Sequence, residues 1–123
     1  MPREPAHIAR AYVQALGDKE LGTIEALLAP DVEYTGPAMT LSSAAEVLTA
    51  LRRIGAILVR TAIRRVFAQG DEACVIYDFV TDTPIGTVPT VEWLRIEGGR
   101  IRSVNLYYDR APWLALRTAP AHA

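Results

Sequence analysis

The stretch VEWLRIEGGRIRSVNLYYD, from Val91 to Asp109, contains two alternating segments separated by Gly98-Gly99. Alternation of apolar and polar residues is typical of strands, and a Gly pair between two strands predicts a tight hairpin. Glu92 lies in the first segment, where alternation puts its side chain on the same face as Leu94. If that face is buried, desolvation raises the pKa of the carboxyl group and favours its neutral form. The alternative is a solvated Glu92 that pairs across the hairpin with a cation such as Arg102.

The composition is that of an ordinary globular domain. The chain has 123 residues, of which 50% are hydrophobic and 22% are charged, so one hydrophobic core is expected and disorder is not. We predict a single domain over residues 1–116 and a disordered tail over residues 117–123. The net charge of -1 provides no basic field for a nucleic acid. Neither a signal peptide nor a membrane-spanning segment is found in the sequence, which predicts a cytoplasmic protein without membrane contact.

Residues that bind metals or form disulfides are scarce. Cys74 is the only cysteine, so no intramolecular disulfide can form. His7 and His122 lie near opposite ends of the chain, which argues against a zinc site or a histidine base in the middle of the fold. We therefore expect no metal and no cofactor.

The hydrophobic pattern changes from helical spacing to alternation near the middle of the chain. Three helices are predicted, over residues 4–16, 19–28 and 43–54. Five strands are predicted, four of them after the third helix, over residues 31–35, 57–69, 72–81, 88–96 and 102–109. Ser43 and Glu46 form a capping box that opens the third helix. Helices followed by adjacent hairpins indicate an α+β domain in which the helices cover one face of an antiparallel sheet.

The segment Cys74 to Val80 is apolar on both of its alternating faces. Tyr77 and Phe79 lie on one face, and Ile76 lies on the other face. Because the helices can cover only one side of the sheet, the other side is expected to be covered by a partner subunit. The sequence therefore predicts a homodimer that forms through the outer sheet face.

Three segments carry a family resemblance: AYVQALGDKELGTIEALLAPDVEYTGP at residues 11–37, AQGDEACVIYDF at residues 68–79, and VEWLRIEGGRIRSVNLYYD at residues 91–109. In their order and spacing they resemble the nuclear transport factor 2-like (NTF2-like) superfamily, in particular its ketosteroid isomerase and SnoaL-like polyketide cyclase branches. The resemblance implies a cone-shaped α+β fold. In that fold three N-terminal helices pack on a curved antiparallel sheet that encloses an apolar cavity.

The resemblance also implies a partial active site. Ketosteroid isomerases use a tyrosine on the first helix and a protonated aspartic acid on a late strand to donate hydrogen bonds to the substrate carbonyl oxygen. Tyr12 and Glu92 match these two positions. The aspartate that moves the proton in those enzymes precedes a proline, and this chain has Gly36 before Pro37. The expected base is therefore missing.

Another carboxylate could replace the base. Asp78 is the first candidate if its strand register turns it inward, ahead of Glu33 and Asp109. In ketosteroid isomerases the matching register turns the position of Asp78 outward, so both orientations stay open. A limonene-type epoxide hydrolase is not expected, because the cavity arginine of that branch falls at Ile76.

The cavity wall follows from the same alternation. If Glu92 points inward, its cross-strand neighbours on the same face line the cavity with it. The residues expected to bind the substrate are Leu94, Leu106 and Tyr108 from this alternation, Tyr77 and Phe79, which the resemblance turns inward, and Leu48 on the third helix.

Three functions are compatible with these features. The first is an enzyme that isomerises, cyclises or hydrolyses a hydrophobic small molecule bearing a carbonyl or an epoxide, with Tyr12 and Glu92 polarising its oxygen and Asp78 as the base. The second is a non-catalytic protein that binds an apolar ligand in the same cavity, which the glycine at position 36 favours. The third is a protein-interaction module of the transport-factor type. The first is preferred, because a tyrosine and a carboxyl group occupy both oxygen-binding positions.

Overall fold

The computed structural model describes residues 4–118, and for residues 117 and 118 only the backbone. The helices are α1 (Pro5–Gly17), α2 (Leu21–Leu27), α3 (Ala44–Ile54) and α4 (Ala111–Thr118). The strands are β1 (Leu28–Thr35), β2 (Thr40–Leu41), β3 (Leu58–Gln69), β4 (Glu72–Thr81), β5 (Thr87–Glu97) and β6 (Arg100–Tyr108).

The strands form one six-stranded sheet in the order β2-β1-β6-β5-β4-β3. Strands β3 to β6 are an antiparallel meander of hairpins, whereas β1 runs parallel to β6. The predicted α+β fold of the NTF2-like type is confirmed, with α4 and the short strand β2 as additions that the sequence pattern did not predict. Residues 117 and 118 of the predicted disordered tail belong to α4, and residues 119–123 of that tail lie outside the described residues.

The hairpin of β5 and β6 has the geometry that its sequence predicts. Gly98 and Gly99 have positive φ angles of 59° and 76°, a conformation that glycine adopts without steric cost. The pairing shifts by one residue after the turn, because Ile96 faces Ile101 whereas Arg95 faces Ser103. This bulge keeps apolar side chains of both strands on the inner face of the sheet.

Helix α1 packs closely on β3. The hydroxyl of Thr61 donates a hydrogen bond of 2.9 Å to the carbonyl oxygen of Val13. A Cβ atom on Gly17 would lie 2.9 Å from the backbone nitrogen of Thr61, so only glycine fits at the end of α1. This close contact fixes the helix that carries Tyr12 against the inner face of the sheet.

Helix α3 begins with the predicted cap. The hydroxyl of Ser43 accepts a hydrogen bond of 3.1 Å from the backbone nitrogen of Glu46. The Glu46 side chain accepts one of 2.7 Å from the backbone nitrogen of Ser42, one residue before the position expected for a capping box. The helix therefore starts at a defined residue beside the open side of the sheet.

The outer face of the sheet carries exposed aromatic side chains. Phe67, Trp93 and Tyr107 are 59%, 44% and 52% exposed, respectively. Phe67 pairs with Cys74, which in turn pairs with Trp93, so two of the aromatic rings belong to one cross-strand row. The indole nitrogen of Trp93 donates a hydrogen bond of 2.6 Å to Glu72. Across residues 4–118, no helix is long and apolar enough to cross a membrane.

Candidate active site

A cavity of about 870 Å³ lies between the inner face of the sheet and the helices α3 and α4. Its wall is mostly apolar, with a small number of polar side chains. The sheet contributes Tyr34, Leu41, Tyr77, Phe79, Val88, Thr90, Glu92, Leu106 and Tyr108, and the helices contribute mainly Ala45, Glu46, Ala50, Arg53, Ile54, Trp113 and Leu114. A pocket of this size and character accommodates a small organic molecule.

Glu92 lies deep in this cavity, at the centre of β5. It pairs with Val75 of β4 on one side and with Leu106 of β6 on the other, and only 1% of its surface is exposed. The hydroxyl of Tyr77 donates a hydrogen bond of 2.5 Å to Glu92 Oε2. Of the two carboxyl groups in the described cavity wall, Glu92 is buried, whereas Glu46 is held at the cap of α3.

Burial raises the pKa of Glu92 from its ordinary value of 4.5 to about 7. The hydrogen bond from Tyr77 lowers this pKa, and so does the nearby hydroxyl of Tyr12, because donors favour the charged carboxylate. Desolvation is the stronger of these effects. The carboxyl group therefore exchanges its proton near neutral pH.

Three buried tyrosines surround this carboxyl group. Burial, and next the negative charge of Glu92, raise the pKa of Tyr12, Tyr34 and Tyr77 well above the ordinary value. Their hydroxyl groups therefore stay protonated and can donate hydrogen bonds. Within residues 4–118, neither the Tyr12 hydroxyl nor Glu92 Oε1 has a hydrogen-bond partner of good geometry, although Tyr12 lies near enough to lower the pKa of Glu92. Tyr12 is fully buried and is not part of the cavity wall, which corrects its assignment as a donor to the substrate oxygen.

Four of the six predicted substrate-binding residues lie in the cavity wall, and two do not. Tyr77, Phe79, Leu106 and Tyr108 lie in the cavity wall. Leu94 and Leu48 do not, which corrects their assignment as substrate-binding residues. Leu94 is fully buried in the core below the cavity, and Leu48 packs against the core from α3. The alternation of β5 gave Leu94 the correct face of the sheet, but the depth at which the cavity ends depends on the helices above it.

The predicted base Asp78 lies on the opposite face of the sheet. Its neighbours Tyr77 and Phe79 point inward, and strict alternation turns Asp78 outward, where it forms an ion pair of 3.6 Å with Arg64. This corrects the assignment of Asp78 as a catalytic residue, because its carboxylate cannot reach a ligand in the cavity.

The two weaker base candidates also lie elsewhere. Glu33 lines a separate charged surface cleft, and Asp109 accepts a hydrogen bond of 2.9 Å from the backbone nitrogen of Ala111 at the start of α4. At position 36, the glycine supplies no side chain, and a Cβ atom there would contact Leu106 at 3.3 Å. Across residues 4–118, Glu92 is therefore the one buried carboxyl group in the cavity wall.

Tyr34 and Trp113 are cavity residues that were not predicted from the sequence. The alternation of Val32 and Tyr34 in β1 was a signal that Tyr34 faces inward, since both side chains are buried. No such signal marked Trp113, because α4 was not predicted. Its ring makes edge contacts with Phe79 and Tyr108, with ring centroids 6.3 Å and 6.1 Å away.

No cluster of three or more His, Cys, Asp or Glu side chains that could hold a metal ion occurs among residues 4–118. The polar groups of the described cavity wall are hydroxyls, the buried carboxyl group of Glu92, the carboxyl group of Glu46 and the guanidinium groups of Arg53 and Arg110. Chemically, this arrangement can bind an oxygen atom of an apolar molecule and exchange a proton with it.

The sequence pattern of the SnoaL-like domain matches residues 9–104. Among solved structures, the chain is similar to a Kribbella flavida protein, with 27% identity, coverage of 91% of this chain and 92% of that chain, and a TM-score of 0.85. An NTF2-like protein of unknown function from Burkholderia pseudomallei is 25% identical, with 92% and 96% coverage and a TM-score of 0.79. A Catenulispora acidiphila protein with a ketosteroid isomerase-like fold, in complex with trimethylamine, is 24% identical, with 98% coverage of both chains and a TM-score of 0.76. No curated protein matches the chain significantly.

Proposed function

Because the chain belongs to the SnoaL-like domain family, we propose that it is an enzyme that isomerises or cyclises an apolar, carbonyl-bearing small molecule. Glu92 is the group that takes up and returns the proton. With Asp78 outside the cavity, Glu92 is the one buried carboxyl group in the described cavity wall. The proposal uses it to move a proton between carbon and oxygen atoms of the substrate, so hydrolysis, the third reaction predicted from the sequence, is not proposed.

The observation that carries this proposal is the single buried carboxyl group in an apolar cavity. Its pKa is raised to about 7, and a general acid or base works best when its pKa is near the working pH. A solvated glutamate would be too weak a base for this task. The apolar wall that desolvates Glu92 also holds the body of the substrate.

The cavity provides the groups that the reaction needs. The Glu92 carboxylate removes a proton from the carbon next to the carbonyl group, and the electron pair of that C–H bond moves onto the carbonyl oxygen to give an enolate. The Tyr34 hydroxyl in the cavity wall donates a hydrogen bond to this oxygen. For an isomerisation, the substrate also carries a C=C bond next to the carbon that loses the proton, so the enolate is a dienolate. Glu92 returns the proton to the far carbon of that C=C bond, and the double bond moves into conjugation with the carbonyl group. For a cyclisation, the enolate carbon attacks a second carbonyl group, and Glu92 gives the proton to the new alkoxide.

Hydrogen-deuterium exchange in a simple ketone tests the proposal without the natural substrate. We expect the protein to catalyse deuterium incorporation next to the carbonyl of beta-tetralone in D₂O, followed by NMR. The substitution Glu92→Gln should reduce the rate by about 100-fold or more, which is the size of a general-base contribution. The rate should rise with pH through about 7, because the deprotonated carboxylate is the base.

Asp78→Asn is the matched control, because it neutralises a carboxylate of β4 that faces away from the cavity. This variant should keep the full exchange rate. The proposal would be contradicted if the wild type did not raise the exchange rate above that of a protein-free sample. It would also be contradicted if Glu92→Gln kept the wild-type rate.

The second candidate function is a binding protein without turnover. It is favoured by the glycine at position 36 and by the outward orientation of Asp78, which leave the described part of the cavity wall without a second buried carboxylate. In the same samples, saturation-transfer NMR would then detect bound beta-tetralone while no deuterium is incorporated.

We also propose that a second copy of the chain covers the outer sheet face. The exposed rings of Phe67, Trp93 and Tyr107 support this assembly, since large exposed apolar patches mark interaction surfaces. Exposed aromatic rings on neighbouring strands are suited to a twofold interface, in which the same patch contributes from both subunits.

A further inference from the structure

Trp113 holds a hydrogen-bond donor that the proposed proton transfer does not use. Its indole nitrogen Nε1 is buried and has no acceptor among residues 4–118. The ring belongs to the cavity wall. A buried donor without a partner costs free energy of about 1–3 kcal/mol, so an acceptor supplied by a ligand would remove this penalty.

Trp113 lies beside cavity residues that are displaced along the sheet from Glu92. It contacts Tyr108 and Phe79, which pair with Thr90 and Val88 of β5, respectively. These two positions are two and four residues before Glu92 on the same face of the strand. At about 3.4 Å per residue, the indole lies roughly 7–14 Å from Glu92 along the strand.

We propose that the ligand of this cavity is an apolar ring compound with an oxygen atom at each end, and that Trp113 binds the outer oxygen. The inner oxygen lies at Glu92, Tyr34 and Tyr77, and the two oxygens are separated by about the span of two to four strand residues. The proposal rests on the proposed function for the position of the inner oxygen. It adds a specificity residue on α4, a helix that takes no part in proton transfer.

The charge and shape of this end of the cavity agree with such a ligand. The rings of Phe79 and Tyr108 hold the indole through edge contacts with interplanar angles of 64° and 68°, which limits its rotation away from the cavity. Arg110 lies in the same wall, so a partial or full negative charge on the outer oxygen is favoured over a cation. A purely hydrocarbon end would leave the indole donor unpaired.

Two phenols test the inference. Para-phenylphenol has one hydroxyl group, whereas para,para′-biphenol has a second hydroxyl at the far end of the same two rings. Affinities are measured for the wild type, Trp113→Phe and Glu92→Gln at about one pH unit below the Glu92 pKa of about 7. We expect the wild type to prefer the biphenol by about 3- to 10-fold, the effect of one neutral hydrogen bond. In Trp113→Phe this preference should disappear. The preference compares two ligands of the same variant, so a loss of packing that weakens both affinities equally does not change it.

Indole NMR provides a second readout that needs no substitution in the cavity. The chain has 2 tryptophans. The indole N–H of Trp93 is hydrogen-bonded to Glu72 on the outer face, away from the cavity, so the Trp93 signal serves as an internal reference. The Trp113 N–H signal should move downfield with the biphenol, and less with para-phenylphenol.

The outcomes separate the two proposals. An equal preference for the biphenol in the wild type and in Trp113→Phe, with an unmoved Trp113 signal, would overturn the role of Trp113. If Glu92→Gln still changes the affinity for para-phenylphenol in that case, the proposed function stands. Binding of neither phenol to the wild type would overturn both.

Discussion

The substitution Glu92→Gln should change how the stability of the protein depends on pH. In the folded state burial raises the pKa of this carboxyl group from 4.5 to about 7, whereas the unfolded chain releases the proton near the ordinary value. Between these two pH values the folded protein binds more protons than the unfolded chain, so raising the pH favours unfolding. The contribution of Glu92 to stability is fully present below 4.5 and is lost as the pH rises through about 7.

The size of the effect follows from the same interval. Between pH 4.5 and about 7, the titration of Glu92 should lower the free energy of unfolding of the wild type by about 3 kcal/mol, because each pH unit corresponds to about 1.4 kcal/mol. Glutamine has nearly the same shape and stays neutral at every pH. Relative to the wild type, Glu92→Gln should therefore become more stable by about 3 kcal/mol across this interval.

Urea denaturation at a series of pH values measures this difference. Subtracting the free energy of unfolding of Glu92→Gln from that of the wild type cancels every other group that titrates. The variant Tyr77→Phe sharpens the test, because it removes a donor that lowers the pKa of Glu92 and should move the transition to higher pH. A difference between wild type and Glu92→Gln that is constant over the whole series would refute a buried, titrating Glu92.

Two further predictions concern packing and assembly. Gly17→Ala should lower the free energy of unfolding by about 1–3 kcal/mol, because its Cβ would lie 2.9 Å from the backbone nitrogen of Thr61. Gly22→Ala, a helical position with open space around it, should be neutral or stabilising in the same denaturation assay, and equal effects at both sites would contradict this reasoning. The wild type should sediment as a dimer at micromolar concentration, and Phe67→Glu or Trp93→Glu should shift it towards the monomer. A monomeric wild type would count against the outer sheet face as an interface.

Local sequence patterns predicted the hairpin and the face of Glu92. A period of two residues is a property of the strand itself, so the sequence placed Glu92 on the same face as Leu94 without knowledge of the rest of the chain. That this face points inward became clear only from the structure, in which Glu92 is buried. The turn at Gly98-Gly99 and the cap at Ser43 depend on neighbouring residues in the same way. The same alternation decided Asp78 once its register was known, since Tyr77 and Phe79 on either side of it point inward.

The surroundings of Glu92 depend on contacts between distant parts of the chain. Tyr34 reaches the site because β1 pairs in parallel with β6, where Tyr34 lies beside Val104. Leu94 has the correct face and still lies outside the cavity wall, because the covering helices determine where the core ends. Trp113 enters the wall from α4, whose short apolar pattern after the last strand did not distinguish a helix from a tail.

The sequence by itself determined the first three helices, the main strands, the α+β architecture and the face that Glu92 shares with Leu94, because these follow from periodicity, turns and caps. Tertiary structure alone decided how deeply that glutamate is buried, which tyrosines surround it and where the cavity ends. The physical reason is desolvation. The pKa of Glu92 is set by everything that excludes water from it, and that enclosure is assembled from α1, β1, β4 and β6, which are far apart in the chain.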